Sequence, residues 1–371
     1  MNDIFVTSPL LPPLKDLTQV MKDIWNRKWI TNNGHYHQEL EKRLAEYLGV
    51  PYISLMSNGT LALMTAIQVL DLHGEIITTP YSFCATSHSI LLSDCSPVFT
   101  DIDPLTGNID SSKIEEAITE KTCAIMPVHV YGNPCETKKI KKIAEKHNLK
   151  VIYDAAHAFG VKENGKSILN EGDLSCLSFH ATKTYNTVEG GAIVCHTKEM
   201  KDKIDCWKDF GIEDESTISL AGMNCKMDEI RSAVGLENLK IIDNALLYRK
   251  ETALYYRKLL KDIKGIKLLP LHENVTYNYS YFPVFVEKNV YGHSSDELYA
   301  ELKKNHIFAR RYFWPLISNL KVYKDIPSVK KENLPVANRM SEEVLCLPIH
   351  HLLEKADVER IVSIIRDFKA D

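Results

Sequence analysis

The run Cys123-Ala124-Ile125-Met126-Pro127-Val128 is followed by a helical pattern from Glu136 to His147 and then by a second apolar run, Val151-Ile152-Tyr153-Asp154. Ile140 and Ile143 fall on one face of the intervening helix, so the unit reads strand, helix, strand. A crossover helix makes the two strands parallel, and strands that are apolar on both faces must be covered on both sides. The same alternation extends outward. Tyr52-Ile53-Ser54-Leu55-Met56, Glu75-Ile76-Ile77-Thr78-Thr79 and Val98-Phe99-Thr100-Asp101 precede the unit, and Leu174-Ser175-Cys176-Leu177-Ser178-Phe179 and Ala192-Ile193-Val194-Cys195 follow it. The expected fold class is therefore α/β, a large and mostly parallel doubly wound sheet. From Met227 to about Leu260 the pattern is continuously helical, which predicts one long helix leaving the sheet. Tyr279 to Val286, Ile307 to Tyr312 and Leu345 to Ile349 then read as strands, and Asp357 to Phe368 as a closing helix. This divides the chain into a large domain over 1–245, including the N-terminal segment, and a smaller C-terminal α+β domain over 246–371.

The chain has 371 residues, enough for two domains, with 44% hydrophobic and 25% charged residues, as in an ordinary globular protein. Its 45 basic and 49 acidic side chains give a net charge of −4. That balance provides no footprint for nucleic acid or an anionic membrane. Nine cysteines without a Cys-x-x-Cys pair read as reduced thiols, and the N-terminus has no basic region followed by an apolar core. A cytoplasmic location is expected, with no nucleic-acid or membrane partner.

In open α/β sheets, ligands lie beyond the carboxyl ends of the strands. Four such ends carry chemistry. Ser57-Asn58-Gly59-Thr60 opens a helix near Leu61, where Gly59 permits close backbone approach and free N–H groups can seat a phosphate. A capped helix start without a ligand explains the same residues. Tyr81-Ser82-Phe83-Cys84-Ala85-Thr86 places an aromatic ring where it could stack on a flat ligand. At the end of a strand, among alanines in Asp154-Ala155-Ala156-His157-Ala158-Phe159-Gly160, the carboxylate of Asp154 needs a cationic or hydrogen-bonding partner. A protonated pyridine nitrogen would serve. Ser178-Phe179-His180-Ala181-Thr182-Lys183, running into Glu189-Gly190-Gly191, puts a lysine at the sheet edge, where desolvation lowers its pKa toward imine chemistry. The two glycines suit a tight turn into the next strand. His35-Tyr36-His37 and His350-His351 have no further ligand spacing, so no metal is expected.

Together these motifs resemble the DegT/DnrJ/EryC1/StrS sugar aminotransferases, pyridoxal-phosphate enzymes of the aspartate aminotransferase fold (fold type I). Met223-Asn224-Cys225-Lys226-Met227 is similar to the family's Asn-x-Arg-Met, and Leu347-Pro348-Ile349-His350 continues the likeness. The resemblance implies pyridoxal 5′-phosphate as cofactor. It makes Lys183 the lysine that bonds to the cofactor, Asp154 the partner of its pyridine nitrogen, and His157 a neighbour of its phenolic oxygen. Phe83 would stack on the ring, Gly59, Thr60 and Ser178 would contact the phosphate, and Asn224 would reach the phosphate from the neighbouring subunit of a homodimer with shared active sites. Two departures stand out: Val188 occupies a position where the family often has Gly, and Lys226 one where it has Arg. A lysine at 183 speaks against the related sugar dehydratases, which have His there.

The implied reaction is ping-pong transamination from L-glutamate to a nucleotide-linked keto sugar. Ser-Phe-His-x-x-Lys with Glu-Gly-Gly looks like the branch that aminates C4 of 4-keto-6-deoxy sugars, with dTDP-4-keto-6-deoxy-D-glucose giving dTDP-4-amino-4,6-dideoxy-D-glucose. Substrate candidates are Trp29, His180, Tyr185, Arg310, Arg311 and Tyr312, the arginines suiting a diphosphate or the glutamate carboxylate. A surface polysaccharide such as lipopolysaccharide O-antigen is the usual destination of such sugars. The alternatives are a UDP-linked, C4-epimeric or 3-keto substrate, a fold-type-I enzyme of another reaction class, and a non-enzymatic cofactor-binding regulator.

Overall fold

The computed structural model describes residues 2–369. Seven strands form the large sheet, in the order Tyr52–Met56, Gly191–Cys195, Leu174–Ser178, Lys150–Asp154, Thr122–Met126, Glu75–Thr78, Ser96–Phe99. All neighbouring pairs are parallel except those made by Gly191–Cys195, which runs antiparallel to both of its neighbours. The expected mostly parallel sheet is present, and its one reversed strand is the run that begins at Gly191. Helices cover both faces. Gly59–Val69 packs Ala62, Leu63, Ala66 and Ile67 into a core shared with Met56, Ile76, Ile152 and Ile193. The helix Thr137–His147, which crosses between Thr122–Met126 and Lys150–Asp154, buries Ile140 and Ala144 and ends on Asn148 in the left-handed region. Asparagine tolerates that conformation because its short polar side chain bonds locally.

The expected single helix from Met227 to Leu260 is two helices, Glu229–Leu239 and Ile242–Leu260. At the junction the amides of Lys240 and Ile241 bond back three residues, to Glu237 and Asn238. No glycine or proline marks the break. Asn238 instead donates its side-chain amide to the carbonyl of Asn186 at 2.9 Å, anchoring the first helix to the loop after Lys183.

Ile242–Leu260 spans two cores. Ile242 and Ala245 pack with Leu40, Leu55 and Phe159, whereas Ala253, Tyr256 and Leu260 pack with Phe282, Val284 and Leu345. The second core is built on an antiparallel sheet, Ile266–Leu268, Phe282–Val286, Val344–Leu347, closed by the helix Lys355–Asp367. The run expected as a strand from Ile307 to Tyr312 is extended only at Ile307–Phe308, and beyond it Arg310 makes an isolated bridge to Cys346. Ile307–Phe308 pairs in parallel with Ile4–Phe5. Ile4 thus lies in the second core, although the N-terminal segment was expected with the first. None of the nine cysteines is disulfide-bonded. Among the described residues, no helix is long and apolar enough to cross a membrane.

Candidate active site

The strand ends converge on a cavity of about 290 Å³. Gly59, Thr60, Phe83, Asp154, His157, Ser178, His180, Lys183 and Tyr312 all line it, so residues up to 253 positions apart in sequence meet in one place. Asp154 ends a central strand and is buried. Its carboxylate accepts the Thr86 hydroxyl at 2.7 Å and the Ala156 N–H at 3.0 Å. Burial pushes its pKa up, against the lowering effects of those two donors and of Lys183. A buried carboxylate held this way can gain most from a cationic N–H placed in the cavity.

Lys183 follows its strand by a short turn closed by its own N–H to the carbonyl of His180 at 2.8 Å. Burial lowers its pKa to about 8, although Asp154 pulls the other way. More of the amine is therefore neutral, and so nucleophilic, near neutral pH than for an exposed lysine. His157 is held neutral, first by burial and then by the charge of Lys183. Its Nδ1 accepts the Tyr131 N–H at 3.3 Å, which leaves Nε2 to carry the proton. The ring stacks on Phe313 with centroids 5.6 Å apart.

Elsewhere in the cavity wall, the Asn58 side chain caps the helix Gly59–Val69 by accepting the Leu61 N–H at 2.9 Å. The amides of Gly59 and Thr60 sit at the helix start, where no intrahelical acceptor is available. A Cβ on Gly59 would lie 3.0 Å from that of Ser178, and one on Gly191 would lie 2.6 Å from the Asn58 carbonyl. Gly191 is thus required by close packing against this cradle, and Gly190 by close packing against Thr187 and Met227. The expected tight turn does not explain them, since neither has a positive φ.

The residue that does adopt the left-handed region there is Val188, at φ 68°. This accounts for glycine at that position in the family. A β-branched side chain in that region costs about 1–2 kcal/mol, part of which is offset by the greater unfolded-state entropy of glycine. Val188→Gly is expected to stabilise the protein by about 0.5–1 kcal/mol on that balance. A raised denaturation midpoint with unchanged turnover is the expected result.

Several candidates lie elsewhere. Tyr185 is fully buried and stacks on Phe159 at 4.4 Å, so it is a core residue and not a substrate contact in this chain. Arg311 pairs with Asp296, lies 4.2 Å over the Trp314 ring and donates to the Ser341 carbonyl at 3.3 Å, so its guanidinium is occupied outside the cavity. The Arg310 backbone is paired to Cys346, and its exposed side chain does not line the cavity. Trp29 is exposed and donates its indole N–H to the Asn32 carbonyl at 2.8 Å. Asn224 is likewise exposed and outside the cavity of its own chain. The Lys226 ammonium is taken by Asp209 at 2.5 Å and lies 4.5 Å over Phe210. Conversely, Thr86, Thr182, Glu189, Tyr281 and Phe313 line the cavity without having been singled out as contacts. Thr86, three residues after Phe83, carries no local signal of its role, which comes from its 2.7 Å bond to Asp154.

A model of the DegT/DnrJ/EryC1/StrS aminotransferase family matches residues 14–366. The chain belongs to this family. This DegT/DnrJ/EryC1/StrS aminotransferase is 53% identical over 367 residues, 99% of each chain, to a dTDP-4-amino-4,6-dideoxy-D-glucose transaminase of Shigella dysenteriae. It is 48% identical over 368 residues to a transaminase of the same name from Escherichia coli, covering 98% of this chain and 99% of the relative. Among solved structures, the crystal structure of DesI in the presence of its TDP-sugar product superposes with a TM-score of 0.94 at 30% identity, covering 99% of this chain and 93% of DesI. The fold is that of the pyridoxal-phosphate-dependent sugar aminotransferases, and the cofactor is pyridoxal phosphate.

The residues present fit that group. The cavity is lined by a buried carboxylate whose ionised form wants a cation, by a helix N-terminus kept open by glycine, and by a lysine with its pKa depressed to about 8. Phe83, 58% exposed, contributes an aromatic ring at the wall.

Proposed function

We propose that this aminotransferase moves an amino group from L-glutamate to C4 of dTDP-4-keto-6-deoxy-D-glucose, giving dTDP-4-amino-4,6-dideoxy-D-glucose. The observation that carries the reading is the 53% identity, over 99% of both chains, to a transaminase named for that product. The site chemistry supports it. Pyridoxal phosphate, when bound, supplies an electron sink for the carbon from which a proton is removed. Asp154 would hold the ring nitrogen protonated, and Nε2–H of His157 would donate to the phenolic oxygen. Phe83 would cover a ring face, and the amides of Gly59 and Thr60 with the Ser178 hydroxyl would receive the phosphate. Nζ of Lys183 would hold the cofactor at rest and, when free, take the proton from the substrate carbon and return it at C4′.

His180 and Tyr312 line the mouth of the cavity and are the proposed sugar contacts. Arg310, Trp29 and Asn224 would act only across a subunit interface. A homodimer in which Asn224 reaches the neighbouring phosphate is accordingly part of the proposal. Exposed Trp25, Trp29, Ile30, Phe210, Ile212 and Met223 supply apolar surface for such a contact. We also propose a large domain to about residue 245 and a smaller one beyond it, a cytoplasmic location suited to nine free thiols, and a product destined for surface polysaccharide.

The test is a panel of dTDP-, UDP- and GDP-linked 4-keto and 3-keto 6-deoxy sugars, each with glutamate, and product configuration determined by NMR. The 4-amino gluco product from the dTDP substrate is expected at the highest kcat/KM. A 3-amino product, or the galacto epimer at C4, would overturn the substrate assignment. Absence of glutamate-dependent conversion to the amine form of the cofactor would overturn the reaction itself.

A further inference from the structure

Lys183 is partly buried, yet the hydrogen bonds among the described residues give its ammonium a single side-chain partner, the hydroxyl of Tyr281 at 3.5 Å. Tyr281 immediately precedes the strand Phe282–Val286 of the second sheet and packs against a cluster that includes Tyr81, Tyr131 and Phe313. Its approach is built in. Asn278, buried, donates its side-chain amide to the carbonyls of His157 at 2.8 Å and Phe159 at 2.9 Å. The Ser280 hydroxyl donates to the same His157 carbonyl at 2.7 Å, and the Ser280 N–H donates to Oδ1 of Asn278 at 3.1 Å. Behind them, the buried guanidinium of Arg249 donates to the carbonyls of Tyr279 at 3.2 Å and Ile349 at 3.0 Å. The segment is thereby stitched to the backbone that follows Asp154. Rings of His157, Tyr312 and Tyr131 surround that of Tyr281, with centroids at 5.0, 5.3 and 5.8 Å.

We propose that Tyr281 is a positioning residue for Lys183, its hydroxyl fixing Nζ of the free lysine between the two carbons that exchange the proton, and that Asn278 and Ser280 hold the hydroxyl in place. The inference rests on Lys183 being the proton-carrying lysine. A lysine stem has about 2 kcal/mol of rotamer entropy to lose, so a shuttle between two atoms is slow unless something fixes the amine. No other side chain is hydrogen-bonded to Nζ among the described residues. The titratable groups facing it are Asp154 at the end of its strand, His157 on the loop beyond, Tyr281 and Tyr312 from the smaller domain, and His180 and Glu189 at the rim, these last two 3.5 Å apart. Burial keeps the Tyr281 phenol protonated through the working range, so its oxygen accepts from the ammonium without itself becoming charged. Removing that acceptor penalises the charged amine further, and the Lys183 pKa should fall.

The experiment compares the Tyr281→Phe holoenzyme with wild type across pH. Expected are a fall in kcat of about tenfold, the worth of one hydrogen bond to a charged group, with KM for glutamate and sugar nearly unchanged, and a shift of the rising limb of kcat to lower pH. Asn278→Ala, which leaves the hydroxyl but loosens its support, should move both readouts in the same direction by less. Wild-type kcat and pH profile in Tyr281→Phe would overturn the proposal. So would a loss of kcat with the limb unmoved, which is what a merely structural role predicts. Lys183→Ala is run beside them. If it retains turnover, the reading of Lys183 falls and this one with it; if it is inactive while Tyr281→Phe behaves as wild type, only the role of Tyr281 is lost.

Discussion

Replacement of Lys183 by alanine is expected to abolish turnover, by about 10⁴-fold or more, while leaving the protein folded and at least as stable as wild type. The two halves of that expectation come from the same burial. With its pKa pushed down to about 8 by desolvation, Lys183 is a partly buried cation at neutral and acidic pH, held by one long hydrogen bond to Tyr281. Such a group costs free energy in the folded state. Its folded pKa of about 8 lies below the 10.5 of an exposed lysine, so the wild-type protein loses stability as pH falls from about 10.5 to about 8, and the alanine variant does not. Thermal midpoints of the cofactor-free proteins should therefore diverge in favour of the variant as pH is lowered from about 10.5 to about 8, and keep a constant separation below that. Turnover with glutamate, and the absorbance due to a covalent bond between Lys183 and the cofactor, should both vanish, while the cofactor still binds through Asp154 and the Gly59–Thr60 amides. Substantial residual transamination would refute the assignment of Lys183. A variant destabilised at pH 7 would refute the account of its burial.

What the sequence could and could not show divides along physical lines. Periodicity and β-branched content report burial on both faces of a strand, so the parallel strands and the crossover helix Thr137–His147 were legible, and with them the strand ends that carry Asp154 and Lys183. Local pattern does not report which way a side chain turns after the strand has ended. Two residues past Lys183 the chain dives inward, and Tyr185 stacks in the core on Phe159 instead of facing the cavity. Glycines fell between these cases. Gly190 and Gly191 were expected for a turn, but a Cβ at Gly190 would meet Thr187 Oγ1 at 2.0 Å, so they answer to packing, while the left-handed position belongs to Val188. Tyr281 was not legible at all. It lies 98 positions from Lys183, in a run of alternating tyrosines that carries no motif, and only the bonds from Asn278 and Ser280 to the loop after Asp154 bring it into the site.

Those bonds also bear on how Asp154 can be tested. Asp154→Asn preserves shape, and the amide can still accept from Thr86 or Ala156, so the surrounding loop should keep its position. What it removes is the charge. Without cofactor, burial raises the carboxyl pKa, and the ionised form is the penalised one. A raised folded pKa means that stability is lost as pH rises through it, so the Asn variant of the cofactor-free protein should be the more stable at neutral pH, with the difference closing under acidic conditions where Asp154 is protonated. With cofactor bound the order should reverse if Asp154 has its proposed role, because the wild-type carboxylate would then pair with a cationic ring nitrogen and the neutral amide would not. Losing one partner of such a buried pair costs about 3–5 kcal/mol, which at 1.4 kcal/mol per decade is a fall of roughly 10² to 10⁴ in kcat. The crossing of the two stability curves is the discriminating measurement. Were Asp154 only a cap for the Ala156 amide and an acceptor for Thr86, the variant would be no more stable than wild type without the cofactor, and pyridoxal phosphate would stabilise both proteins equally.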